Sequence, residues 1–139
     1  MKRFTGLLIA TLLCGGAVAA SQPAEAHHAF ASEYDIDKPI TLDGTVSKIE
    51  WINPHSWIYV AVLDHKTNKE TDWSIEFGSV NALLRRGLRK TDFAVGQKVT
   101  VKGYLAKNGR PIANASSVTL QDGRNFLTGS SAGNTTVGG

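Results

Sequence analysis

The chain has 139 residues, of which 42% are hydrophobic and 19% are charged, so one small globular domain is expected and a mainly disordered chain is excluded. The 15 Lys and Arg residues against 12 Asp and Glu residues give a formal charge of +3, which is too mild to indicate a nucleic-acid binder. Cys14 is the single cysteine, which excludes an intrachain disulfide, a CxxC redox centre and a multi-cysteine zinc site.

Residues 1–26 have the three-part pattern of a cleaved secretory signal. A Met-Lys-Arg start is followed by an apolar or small stretch over residues 4–20, and Ala-Glu-Ala precedes His27. We therefore expect export to the periplasm and a processed chain that begins at His27, without cysteine and without a stable membrane span. Three alternatives stay open: cleavage before Ala20, a lipoprotein signal with Cys14 lipidated, and a retained N-terminal anchor.

The mature chain predicts five strands with one helix after the third strand. Residues 27–38 are expected to form an entry segment, and β-type alternation begins after Pro39. The apolar phase slips near Ser47 and Lys48, which predicts a bulge there. The predicted strands are Ile40–Val46 with its continuation past the bulge, Ser56–Leu63, Asp72–Phe77, Gln97–Leu105 and Ala113–Leu120.

The predicted helix lies between the third and fourth strands. Ser79 is a suitable N-cap, and Gly87 is a suitable stop. The apolar positions at helical spacing are Val80, Leu83, Leu84 and Leu88.

The order β-β-β-α-β-β indicates an all-β fold class, specifically a small five-stranded OB-like Greek-key barrel over residues 27–126. An SH3-like barrel or an open sandwich is the alternative. Residues 127–139 are rich in Gly, Ser, Thr and Asn, so we expect a flexible C-terminal tail. The expected interior side chains are Trp73, Ile75, Phe77, Val99 and Val101.

The processed N-terminus predicts a metal site. A terminal His27 offers its α-amine and its ring nitrogen to one ion, and His28 offers a different chelate through the intervening amide. One further imidazole would complete a T-shaped set of three nitrogens, which favours Cu(II). The alternative is that both histidines form an unliganded flexible end.

His55 is the candidate for the third ligand. It follows Pro54 between two predicted strands, and the proline stiffens the connection that carries the imidazole. The alternative for His55 is a ring whose nitrogens are satisfied by the turn backbone. The resulting expectation is a copper carrier or buffer with a periplasmic or outer-membrane metal-handling partner; a copper-dependent oxidase using the same ligands is a further alternative.

A second class of function is a binding module without metal. OB barrels hold oligosaccharides, peptides or other anionic ligands on one face. The candidate residues for such a surface are Trp51, Asn53, Trp57, Tyr59, Arg85 and Arg86. No nucleic-acid ligand is expected.

Signatures of common enzyme classes are missing, and no catalytic residues are assigned. The sequence contains no GxSxG, GxGxxG, P-loop or HExxH motif. Glu50 and Glu76 form a possible carboxylate pair if they lie on adjacent strands.

The chain resembles a bacterial exported family catalogued as domain of unknown function 6152. The resemblance rests on the His-His start at His27, on the segment 40–46, on the Asn-Pro-His-x-Trp motif of residues 53–57 and on residues 118–124. It extends over about residues 27–126. It implies a small periplasmic, OB-like protein without an established activity, whose mature chain typically starts with His-His.

Overall fold

The computed structural model describes residues 29–129, which form a mostly antiparallel β fold. The predicted signal over residues 1–26, both N-terminal histidines of the predicted metal site (His27 and His28) and residues 130–139 of the predicted tail lie outside the described residues. The strands are β1 (Tyr34–Glu50), β2 (Trp57–Asp64), β3 (Lys69–Glu76), β4 (Lys98–Ala106), β5 (Ile112–Leu120) and β6 (Asn125–Leu127), with a helix at Val80–Arg85 and a 3-10 turn at Lys90–Asp92.

Five of these strands close into a ring. β1 pairs antiparallel with β2 and with β4, β2 pairs with β3, and β4 pairs with β5. A short parallel pairing of β3 with β5 completes the ring, from Ser74 opposite Ile112 to Glu76 opposite Asn114. The predicted all-β class is confirmed, and so is the position of the helix between the third and fourth strands.

β1 is longer than predicted and is bent by an irregularity. Its register against β2 shifts between Val46 and Lys48, which confirms the predicted bulge. Strand pairing starts before Pro39, because Tyr34 already pairs with Ala106 of β4. The prediction that β structure begins at Pro39 is therefore wrong, because β1 already begins at Tyr34.

The core lies inside the ring and beneath the helix. Of the five predicted interior side chains, Ile75, Phe77, Val99 and Val101 are buried, and Trp73 is half-buried against the core. Alternation along β2 and β3 turns one face inward, since successive side chains of a strand point to opposite faces. The other buried apolar residues of the core cluster include Ile58, Val60, Leu83, Leu88, Phe93 and Val118.

The helix is short and buries a narrow stripe. Ser79 caps it as predicted, since its side chain accepts a hydrogen bond of 3.3 Å from the backbone N–H of Ala82. Gly87 has a φ of +85°, a conformation that suits glycine beyond a helix end. Leu83 is fully buried but Leu84 is 44% exposed, so only one of these two apolar positions packs into the core. Six residues make fewer than two turns, and such a helix turns only a narrow stripe toward the core.

An additional strand, β6, follows the predicted fifth strand and pairs with β5. After it, the Thr128 side chain is fully buried and donates to the carbonyl of Ala115. The backbone N–H of Gly78 donates to the Thr128 carbonyl over 2.7 Å, and the Arg86 guanidinium donates to the Gly129 carbonyl over 2.7 Å. We call residues 125–129 the C-terminal strap, and its last three residues occupy the start of the predicted tail.

Within residues 29–129, no helix has the length and hydropathy needed to cross a membrane.

Candidate functional site

A cavity of about 560 Å³ opens where three parts of the chain meet. These parts are the helical segment of residues 29–33, the loop of residues 51–56 between β2 and the end of β1, and the helix Val80–Arg85. The cavity wall combines apolar, aromatic, acidic, basic and imidazole groups, among them Ala29, Tyr34, His55, Trp57, Glu76 and Arg85.

Glu76 is a buried carboxylate in the wall of this cavity. As the last residue of β3 it follows Ile75, which points into the core, so its side chain is on the outer face of the ring. It is nevertheless only 4% exposed, in contact with Tyr34 of β1 and His55 of the loop. A buried carboxylate needs polar partners, and Glu76 has the Tyr34 hydroxyl as a hydrogen-bond donor and the His55 ring in contact.

The two carboxylate oxygens of Glu76 bind different partners. Oε1 contacts Nδ1 of the His55 ring, and Oε2 accepts a hydrogen bond from the Tyr34 hydroxyl. Burial, and then the hydrogen bond to Glu76, raise the pKa of the Tyr34 phenol well above its usual range, so the phenol remains a proton donor. Nδ1 is thus the His55 ring nitrogen that faces the carboxylate, a group that accepts hydrogen bonds.

Among residues 29–129, the second ring nitrogen of His55, Nε2, has no hydrogen-bond partner. The His55 side chain is 46% exposed, while that of Glu76 is 6% exposed, so the carboxylate is buried and part of the imidazole is open to solvent. The imidazole therefore contacts Glu76 through Nδ1 and lines the cavity. The sequence also allowed a His55 ring whose nitrogens bind the turn backbone. Nδ1 instead contacts the carboxylate of Glu76.

The loop that carries His55 is tied to the end of β3. The backbone N–H of Ser56 donates to the Gly78 carbonyl over 3.1 Å, and the N–H of Phe77 donates to the Ser56 carbonyl over 2.8 Å. The buried Ser56 hydroxyl donates to the carbonyl of Ile52 over 3.1 Å. The peptide bond between Asn53 and Pro54 is cis. The three hydrogen bonds of Ser56 hold the residue next to His55 against the end of β3 and against Ile52.

The helical segment of residues 29–33 is packed onto the sheet at the other side of the cavity. The Phe30 ring lies 5.4 Å from the Tyr34 ring and 6.0 Å from the Tyr104 ring, centroid to centroid. Lys107 donates through its backbone N–H to the Glu33 carbonyl over 2.8 Å, and its ammonium group donates to the carbonyl of Ala31. The chain is thus held at the cavity wall by contacts that begin at Phe30, three residues after His27.

The structure brings part of the predicted ligand-binding set together with His55. Trp57, Arg85 and Arg86 line the same cavity. The Arg86 guanidinium is engaged with carbonyls of the C-terminal strap, whereas Arg85 is an exposed residue in the last turn of the helix. Two side chains of the predicted surface, the aromatic Trp57 and the cationic Arg85, therefore line the cavity together.

The other three residues of that set lie elsewhere. The side-chain oxygen of Asn53 accepts a hydrogen bond of 3.0 Å from the backbone N–H of Val80 at the helix start. Trp51 is half-buried against the core, 6.3 Å from the Phe93 ring. Tyr59 binds Glu50 through its hydroxyl over 3.2 Å and lies under the ammonium group of Lys48. These three residues do not line the cavity.

Glu50 and Glu76 do not lie on adjacent strands, so the condition for a carboxylate pair is not met. Glu50 ends β1 and Glu76 ends β3, and Trp57 of β2 lies between them, paired with both. Glu50 binds Lys48 and Tyr59 instead.

Among residues 29–129, no group of three or more His, Cys, Asp or Glu side chains is close enough to hold a metal ion. Of the predicted ligands His27, His28 and His55, only His55 belongs to this part of the chain. His65 lies in a different groove, lined also by Asp43 and Lys98.

Sequence reasoning missed the role of Glu76 and Tyr34. The alternation of residues 72–77 places Glu76 on the polar face, where a solvated carboxylate is the ordinary expectation. Its burial depends on Tyr34 and His55, which are 42 and 21 positions earlier in the chain. No local pattern indicates such contacts.

The model of a family of unknown function, DUF6152, matches residues 16–114, more than two thirds of the chain. The chain belongs to this family. The matched range contains all the residues that line the cavity. No curated protein and no solved structure matches the chain.

Proposed function

We propose that this family member is a periplasmic copper-binding protein that carries or buffers the ion. The ion would be bound by the α-amine and ring of a processed His27, or by the chelate of His28, together with Nε2 of His55. The observation that carries the proposal is that Ala29 and His55 line one cavity.

Covalent reach supports the proposed ligand set. Two residues of chain span at most about 7 Å between Cα atoms, so His27 cannot be far from Ala29. Ala29 begins a segment that Phe30 and Lys107 hold against the sheet. This reach allows the α-amine of a chain processed after Ala26 to approach the cavity that contains His55.

The donor chemistry supports copper among the divalent ions. Amine and imidazole nitrogens bind Cu(II) most strongly in the first-row series. The half-exposed imidazole of His55 suits an ion that is acquired and passed on, because a partner can approach its open side. A metal-handling protein of the same compartment is the proposed partner, and the proposed compartment follows from the signal pattern of residues 1–26.

The first test is the processed N-terminus itself. Intact mass of the exported protein should correspond to a chain that begins at His27. A start at Ala20, or a lipid on Cys14, would overturn the proposed ligand set, since the α-amine would then not belong to His27.

The second test is a copper titration of the mature protein against a competing chelator. Placing one glycine before His27 moves the α-amine away from the ring and should weaken Cu(II) binding at least tenfold, as should His55→Ala. His65→Ala is the matched control and should bind like the unmodified protein, because His65 lies in a different groove. Affinity should also fall at acid pH, since amine and imidazole bind only when deprotonated. Equal binding by the extended protein would overturn the proposal.

A second candidate function rests on a different feature of the same cavity. Trp57 and Arg85 line it together, which suits a small anionic ligand with an apolar part and no metal. Arg85→Ala should abolish binding of such a ligand, whereas it should leave copper affinity within about twofold. Retained anion binding in Arg85→Ala would remove this candidate.

A further inference from the structure

The position of Glu76 bears on which ring nitrogen of His55 carries a proton. Its buried carboxylate contacts Nδ1 of the half-exposed His55 ring on one side and the buried Tyr34 hydroxyl on the other. A neutral histidine carries a proton on one ring nitrogen, and the hydrogen bond of that nitrogen decides which one it is. A ring that donates from Nδ1 presents an unprotonated Nε2.

We infer that Glu76 is the positioning residue of the site: it holds His55 in the Nδ1–H tautomer, so that Nε2 faces the cavity as a metal ligand. This inference rests on the proposed function for the identity of the ligand, but the tautomer itself does not. A carboxylate behind a metal-binding histidine orients the ring and increases its basicity, and loss of such a partner typically costs about 10–100-fold in metal affinity.

Tyr34 extends the role of Glu76 to the other half of the site. The Tyr34 hydroxyl binds the remaining oxygen of Glu76, and the Tyr34 ring packs against Phe30 of the N-terminal segment. One buried carboxylate thus contacts both the loop that carries His55 and the strand that follows the N-terminal segment. Glu76 is also paired with Trp57 of β2 and with Asn114 of β5, so it has a strand neighbour on both sides.

The tautomer is tested first in the metal-free protein. Long-range ¹H–¹⁵N spectra distinguish protonated from unprotonated ring nitrogens, and His55 should show a protonated Nδ1 and an unprotonated Nε2 at pH 8. Glu76→Ala should lose this preference. Glu76→Gln should keep it, because the amide oxygen still accepts a hydrogen bond from Nδ1. Tyr34→Phe should keep it as well.

Glu50→Ala is the matched control, because Glu50 ends β1 in the same row of the sheet but binds Lys48 and Tyr59 rather than His55. It should leave the His55 tautomer unchanged. A wild-type protein with His55 protonated on Nε2, or an unchanged tautomer in Glu76→Ala, would overturn the inference.

Copper binding provides the second readout. Glu76→Ala should bind Cu(II) about 10–100-fold more weakly than wild type, with Glu76→Gln between the two. Pulsed electron paramagnetic resonance of the copper-loaded protein should show a changed signal from the remote imidazole nitrogen in Glu76→Gln, because its hydrogen-bond acceptor is no longer charged. Wild-type affinity in Glu76→Ala would overturn the positioning role. If the wild-type protein binds no copper, the proposed function fails, while the tautomer experiment still decides whether Glu76 positions His55.

Discussion

Gly103 of β4 lies against the backbone of Asn114 in β5, so closely that a Cβ atom at position 103 would overlap the Asn114 carbonyl oxygen. The contact occurs where the β4–β5 register shifts, between Lys102 and Gly103. Asn114 in turn lines the cavity and pairs with Glu76 of β3. The absence of a side chain at position 103 therefore permits the approach of the strand that supports the site.

Gly103→Ala should destabilise the fold by about 1–3 kcal/mol, because the added methyl group meets backbone rather than a movable side chain. Urea unfolding monitored by circular dichroism measures the change. Lys102→Ala, at the exposed neighbouring position, is the control and should change stability by less than about 0.5 kcal/mol. Equal stability of the Gly103→Ala and Lys102→Ala variants would contradict the packing described for β4 and β5.

Adjacent leucines in the short helix provide a matched pair of substitutions. Leu83 is fully buried and Leu84 is 44% exposed. Leu83→Ala should cost about 2–5 kcal/mol, since it removes buried apolar contact and leaves a cavity. Leu84→Ala should cost less than about 0.5 kcal/mol. Thermal or urea unfolding of both variants checks this, and a larger cost at Leu84 would mean that the helix presents a different face.

Asn53 should stabilise the loop and the helix through one hydrogen bond. Its side-chain oxygen accepts from the backbone N–H of Val80, which is a free donor at the start of the helix. Asn53→Ala should cost about 0.5–2 kcal/mol, similar to the loss of a helix cap. Hydrogen exchange at the Val80 amide should accelerate in the same variant.

Asn53→Asp is the control for that experiment. Its carboxylate accepts the same hydrogen bond and carries a negative charge near a helix N-terminus, which is favourable. Stability close to wild type is expected for Asn53→Asp. A loss as large as that of Asn53→Ala would show that the acceptor oxygen is not what matters.

An ion-pair group links the 3-10 turn to the turn between β5 and β6, and it makes stability depend on pH. The Arg124 guanidinium binds Asp92 over 2.8 Å and Asp122 over 2.8 Å. Partial burial acts to raise the pKa of Asp92, but hydrogen bonds from Arg124 and from the N–H of Arg89 outweigh it and hold that pKa below its usual range.

Because the pKa of Asp92 is lower in the folded state than in the unfolded state, its ion pair stabilises the fold at neutral pH and not at strongly acid pH. The stabilisation is present above the unfolded-state pKa of about 3.9 and is lost as the pH falls through the lower folded-state value. Arg124→Ala should therefore be less stable than wild type at pH 7, with a difference that shrinks toward pH 2. Urea unfolding at both pH values checks this, with Arg110→Ala as the control at an exposed turn position. A difference that stays constant across this range would contradict the role of the carboxylates.

Periodicity and parity predicted much of the fold. Clean alternation between Trp73 and Glu76 predicted β3, and the parity change after Val46 predicted the irregularity that the register shows before Lys48. Such patterns record which face of a strand meets the core. They do not record short strands such as β6, whose three residues are too few to form a period.

The candidate site was only partly predictable, and His55 illustrates the reason. Its neighbours Pro54 and Trp57 indicated a stiff loop near aromatic side chains. The partner of its ring was missed, because the alternation of β3 predicts a solvent-exposed Glu76. The contact with Tyr34 of β1, which helps to bury Glu76, has no signature in the local sequence. Long-range contacts of this kind have no local signature in one sequence. The positions of Trp51 and Tyr59 outside the cavity have no local signature either, since their partners are Phe93 and Glu50.

The closing of the ring has a consequence for the order of folding. Glu76 and Asn114 both line the cavity, and they are paired at the seam where β3 meets β5. The segments that form this seam are separated by the helix, the 3-10 turn and all of β4, so no hairpin or other local event can join them. A chain with only its antiparallel hairpins formed would thus have no cavity floor. The capacity to hold a ligand there should appear in a single step with the completed fold, and ligand binding would then report how much of the protein has finished folding.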